Sequence, residues 1–238
     1  MKPKTISIIL SLLLASMMSV MLAQKNMGET TAGRFDMAVR EDFFSGMAGD
    51  AAAFTRAMKQ CEERLAARPR DPEALVWHGA GLYFQAGRAF MAGDIETGMR
   101  LRDEGVRQMD NAVQLSPTIM TLIPRGAVFL AAGKRIRDPH LRETTLKQGI
   151  ADFERVLELD RADFPGRCQH ARGELLGGLA EGWYRLGDQE KAGLYLKRIL
   201  SELPETRYAK AAGLLIENHP AADQASVTCK GCHVADAQ

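Results

Sequence analysis

From about residue 40 onward, apolar residues recur every three or four positions, the spacing of one face of an α-helix. Ala52, Phe54, Met58, Cys61 and Leu65 make one such face, closed by Pro69. Asp71 then offers an N-cap and Pro72 a first helical position, so a second helix is predicted through 74–87. Further helices are predicted over 96–115, stopped by Ser116-Pro117, and over 119–132. The polar stretch GKRIRDPHLRE breaks the pattern. The periodicity resumes over 144–159, where Leu146, Ile150, Phe153 and Val156 share a face, and over 171–186. Gly187-Asp188 turns the chain into 190–203, which Pro204 ends, and a last helix covers 208–217. No stretch alternates with period two between hairpin turns. The expected fold class is therefore all-α, antiparallel helix pairs joined by short turns.

The two ends differ from this body. Lys2 and Lys4 precede an uncharged apolar run, 5–23, which reads as a secretory signal peptide cleaved after Ala23, although Met21 suits the −3 position poorly. The run is also just long enough to span a bilayer, so an uncleaved N-terminal anchor is the alternative and the only membrane contact expected. Export to the periplasm is the implied localisation. Residues 24–39 are expected to form a mobile lead-in, 40–218 the helical domain, and 219–238 a C-terminal tail whose portion 220–228 is a linker of small and polar residues.

Composition narrows the function classes. In 238 residues, 31 basic side chains face 30 acidic ones, so no charge excess exists to neutralise phosphates and no nucleic-acid partner is expected. A hydrophobic share of 46% excludes disorder throughout, and four cysteines are too few for a disulfide scaffold. Aromatics at 6% fit helices better than a β-sandwich. The sequence carries no Gly-rich phosphate loop, nucleophile elbow or zinc-protease motif, and the carboxylates Glu62, Glu63, Asp152, Glu154 and Glu158 read as solvated helix faces. An enzyme is not indicated.

Self-similarity is visible in the stretch LLGGLAEGWYRLGDQEKAGLYLKRILSELP. Leu176, Leu179 and Ala180, then Trp183, the turn Gly187-Asp188, and Ala192, Leu196, Ile199 and Pro204 resemble the paired helices of a tetratricopeptide repeat. Trp77, Ala80, Gly81 and Phe84 with Met109, Ala112, Leu115 and Pro117 resemble a second, degenerate unit whose two halves are separated by an insertion that should enlarge the turn. A third keeps only its second helix, IADFERVLELD. The resemblance covers about 72–203. It implies an α-solenoid of stacked helix pairs whose groove binds a protein partner, and it implies no chemistry.

Chemistry enters at Thr228-Cys229-Lys230-Gly231-Cys232-His233. C-x-x-C-H is the attachment signature of a c-type haem: two thiols add to the porphyrin vinyl groups, and the adjacent imidazole becomes an axial ligand. Cys229 and Cys232 are thus the expected thioether residues, His233 the iron ligand, and one covalent haem c the expected cofactor. Export agrees, because attachment takes place across the membrane. The alternatives are a Cys229–Cys232 disulfide or redox pair, and half of a zinc site that lacks its other half. Only five residues follow His233, too few to wrap a haem. Placement near the C-terminus resembles the four-helix-bundle cytochromes of the c-prime type, from which the repeat-like core departs. His78, His170 and His219, in that order, are the candidates for a sixth ligand; the position could instead stay open, as in a haem-based sensor of small ligands. His140 falls in a polar loop. Cys61 and Cys168, each in apolar surroundings, could pair in an oxidising compartment or remain buried thiols. The expected role is electron transfer, or docking of a redox site onto a protein partner; without haem the chain would be a periplasmic interaction scaffold.

Overall fold

A computed structural model describes residues Arg34–Glu217. The stretch expected to be a signal segment, most of the expected lead-in, His219 and the run Cys229–His233 lie outside them. Two compact units are distinguished, residues 1–38 and 39–238. Of the first, the described part is Arg34 and the opening turn of α1, where Arg34 pairs with Asp36 at 2.8 Å.

Among the described residues there are nine α-helices and no strand. They are α1 (Phe35–Ala48), α2 (Ala51–Ala67), α3 (Pro72–Met91), α4 (Ile95–Leu115), α5 (Ile119–Gly133), α6 (Pro139–Leu159), α7 (Gln169–Arg185), α8 (Gln189–Glu202) and α9 (Arg207–Ile216). A short 3₁₀ turn, Phe164–Gly166, bridges α6 and α7. The all-α expectation holds.

One local device starts most of these helices. Asp50, Asp71, Asp94, Asp138 and Asp188 each accept a hydrogen bond from a main-chain N–H two or three residues on, satisfying donors that the first turn leaves open. Three of these aspartates follow a glycine with positive φ: Gly49, Gly93 and Gly187. Such glycines end a helix in the left-handed region, so Gly-Asp closes one helix and opens the next.

This device corrects several sequence expectations. Helix α1 begins at Phe35, inside the stretch expected to be lead-in, and the break before α2 falls at Gly49-Asp50. Helix α6 begins at Pro139 rather than near 144, because Asp138-Pro139 repeats the cap-and-proline start of Asp71-Pro72. Its first turn is exposed and polar, so no periodicity announced it, and His140 is helical. The insertion between α3 and α4 does not enlarge the turn. The turn is a tight Ala92-Gly93-Asp94, and the added residues lengthen both helices, to 20 and 21 residues.

The helices stack as pairs. α3 packs along α4, α5 along α6, and α7 along α8; each pair meets the next through its second helix, α4 on α5, α6 on α7, α8 on α9. First helices also touch in sequence, α3 to α5 to α7 to α9. Six of the positions that carried the repeat resemblance are interior, Leu176, Leu179 and Ala180 on α7 and Ala192, Leu196 and Ile199 on α8, whereas Trp183 is half-buried and Pro204 exposed. All of the six but Ala192 join Leu130, Leu146, Ile150 and Phe153 in one core. At the other end, Trp77 stacks on Phe43 at 5.4 Å between centroids and meets Phe44 edge-on.

Candidate functional site

Of the residues expected to handle haem, Cys229, Cys232, His233 and His219 lie outside the described residues. The structure places the other two, His78 and His170, and keeps them apart. His78, on α3, is largely enclosed. Its Nδ1 lies 2.7 Å from Gln108 Oε1 on α4, and its Nε2 is 3.9 Å from Glu62 on α2. It is a joint between helices more than a presented ligand. His170 stands exposed in the first turn of α7, its Nδ1 3.2 Å from the Tyr208 hydroxyl on α9. Among the described residues no group of three or more His, Cys, Asp or Glu could hold a metal ion.

A groove of about 780 Å³ opens between α4 and α6. Tyr83 of α3 and Phe129 of α5, edge to face at 6.4 Å, lie at its floor. Val106 and Leu141 add apolar walls, and Asn111 and Gln114 present amides to it. The groove therefore runs along the second helices of two pairs, and His78 is not in its lining. Spacing within one helix reveals such a groove poorly, because its walls come from four helices.

Charges around the groove are compensated locally. Arg102 pairs with Asp103 at 2.8 Å and Arg107 with Glu104 at 2.5 Å. Arg125 of α5 reaches Asp110 of α4 at 2.9 Å and grips Asp152 of α6 with two hydrogen bonds of 2.8 and 2.6 Å. Asp152 is only 3% exposed, so the expectation of a solvated carboxylate is corrected: the stacking of α5 on α6 buries it. Burial pushes its carboxyl above the usual range, against the pull of the Arg125 guanidinium. Glu154 is not simply solvated either. It accepts from Trp183 Nε1 at 3.3 Å and from the Tyr195 hydroxyl at 3.2 Å, and burial together with this carboxylate pushes the Tyr195 phenol up to about 12. Lys134 and Arg185 converge on buried Glu181 at the next junction.

Cys61 and Cys168 are both free. Cys61 is fully enclosed, and burial pushes its thiol up to about 12, which keeps it protonated and unreactive at neutral pH. Cys168 is exposed, contrary to the expected apolar surroundings, because it stands at the N-cap of α7 after the 3₁₀ turn. Among the described residues no helix is long and apolar enough to cross a membrane.

Compared with family models, with curated proteins and with solved structures, the chain finds no match.

Proposed function

We propose that the chain is an exported, tetratricopeptide-like α-solenoid carrying one C-terminal c-type haem, which transfers electrons or docks a redox site onto a protein partner. The observation that carries this reading is the run Cys229-Lys230-Gly231-Cys232-His233. Its donor set suits the group: two thiols at the spacing of the porphyrin vinyls, then an imidazole. Bound, the haem supplies reversible one-electron chemistry; Cys229 and Cys232 would hold it and His233 would give the iron a nitrogen. The basic pair Lys2 and Lys4 before the apolar run 5–23 supports export. The enclosed repeat positions Leu176, Leu179, Ala180, Ala192, Leu196 and Ile199 support the tetratricopeptide-like architecture. Each described candidate for a sixth ligand holds a side-chain partner at Nδ1, Gln108 for His78 and the Tyr208 hydroxyl for His170.

Expression beside haem-maturation machinery, denaturation and a pyridine haemochrome spectrum test this function. A c-type band that stays with the denatured polypeptide is expected. Haem that is extracted with acid and acetone, or no haem, overturns the redox role and leaves an interaction scaffold.

A further inference from the structure

We propose that the turn between α5 and α6, together with the start of α6, is a docking face for a carboxylate-rich surface of a protein partner, gripped by Arg135, Arg137 and Arg142. The proposal rests on the docking half of the function proposed above and not on the haem.

The three arginines are all exposed, and no described residue pairs with any of them. Arg135 and Arg137 flank Ile136, which is half-buried. Arg142 stands one turn into α6, its main-chain N–H donating to the Asp138 carbonyl at 2.9 Å. Asp138, the acid between Arg137 and Arg142, spends its carboxylate on the helix start, where Oδ1 accepts from the Leu141 N–H at 2.7 Å. Glu143, next to Arg142, is taken by Lys147 at 2.6 Å. The patch continues onto α7. Lys134, the neighbour of Arg135, and Arg185 both hold Glu181, at 2.8 and 2.9 Å, so two cations share one acid. Asp188, beyond Arg185, is matched by Lys191 at 3.4 Å. Lys134, Arg135, Arg137, Arg142 and Arg185 thus face only Asp138 and Glu181, in a chain whose basic and acidic totals are 31 and 30.

The chemistry of the face selects the partner. Arg155, Arg167 and Arg198 are also open to solvent, yet each holds a carboxylate, at 2.7, 2.6 and 2.7 Å. A guanidinium takes a carboxylate through two parallel hydrogen bonds, so three unmatched ones suit a surface of Asp and Glu side chains. Apolar surface adjoins them. Leu141, 41% exposed, stands beside Arg142 and lines the groove between α4 and α6, where Asn111 and Gln114 add amides. Apolar surface beside an arginine-bearing polar rim is the make-up of a protein interface. Three free guanidiniums are few for a nucleic acid, and Leu141 alone gives a bilayer little to bury.

The test uses the full-length chain and, as probe, a fluorescein-labelled peptide of alternating glutamate and alanine, read by anisotropy at about 20 mM salt, where screening is weak. Arg137→Ala/Arg142→Ala is expected to weaken binding about fivefold, two exposed charge pairs being lost. Arg68→Ala/Arg70→Ala removes the same charge from exposed arginines of the α2/α3 turn and is expected to change binding less than about twofold. In the unsubstituted chain the peptide is expected to protect Arg135, Arg137 and Arg142, but not Arg68 or Arg70, from p-hydroxyphenylglyoxal, mapped by mass spectrometry; this reading needs no variant to fold. Equal losses in the two variants, equal protection at the two turns, or no binding by the parent overturns the proposal. So does binding of phosphatidylglycerol vesicles without binding of the peptide, which would make the face a membrane seat. A pyridine haemochrome on the same preparation reads the redox role separately. Peptide binding at the turn without haem leaves the docking standing and removes that role; haem without peptide binding does the reverse.

Discussion

Two hairpins of the same molecule, α3/α4 and α7/α8, reach similar packing by different means. In α7/α8 the helices are short, 17 and 14 residues, and alanine sets their approach: Ala180 and Ala192 are both enclosed. In α3/α4 the helices are longer and the backbones themselves meet. A Cβ on Gly105 would lie 2.6 Å from the Gly79 carbonyl oxygen, and one on Gly79 would lie 2.7 Å from that of Gly105. In the α5/α6 pair the approach is one-sided: a Cβ on Gly149 would lie 3.0 Å from the Gly126 carbonyl oxygen, whereas one on Gly126 would meet the Phe153 ring. Repeat resemblance is therefore strongest where side chains set the spacing and weakest where glycine does. The degenerate units are alternative solutions to the same packing problem, not failures of it.

The largest effect is expected where the pairs are joined. Arg125→Met leaves Asp152 buried without its cation and should cost about 3–5 kcal/mol in a denaturant melt. The sign of the pH dependence follows from the raised carboxyl. A folded-state pKa above the unfolded one gives stability that is present at acid pH and lost as pH rises through the folded value. The variant should therefore lose stability more steeply than the parent as pH is raised from the ordinary carboxylate range to neutral, and Asp152→Asn in the same background should flatten that slope. Equal slopes would mean that Asp152 is not enclosed in the folded chain.

Next comes the contrast between hairpins. Gly105→Leu forces α3 from α4 and should destabilise by about 3 kcal/mol, even after the gain in helix propensity. Gly193→Leu, on α8 with nothing within reach of its Cβ, should be neutral or slightly stabilising. Similar losses at both positions would break the comparison. The smallest effect tests what the hairpins share: Gly93→Ala and Gly187→Ala each place a Cβ at φ near +80° and should cost about 1 kcal/mol apiece in thermal melts. A much smaller cost at 93 would indicate that the α3/α4 turn is looser than its twin.

How much of this was legible follows from where each signal resides. Helix faces and the first strong hairpin were readable because their apolar residues repeat within one element. The Gly-Asp turn was read at 187–188 and applied nowhere else, although 49–50 and 93–94 carry the same pair; it would have removed the supposed enlarged turn. Arg125 and Asp152 stand on different helices 27 residues apart, so only stacking reveals their bond, and the same holds for Glu154 with Trp183 and Tyr195. The groove escaped for this reason as well. The run Cys229–His233 is the opposite case: the chemistry proposed for it rests on five consecutive residues and on no fold.

Intact mass of the matured chain, beside a Cys229→Ala/Cys232→Ala variant, tests the central claim most directly. The account predicts that the parent carries the added mass of one haem through denaturation and that the double variant carries none. A parent chain at its bare polypeptide mass, less only the two hydrogens of a disulfide, would contradict it.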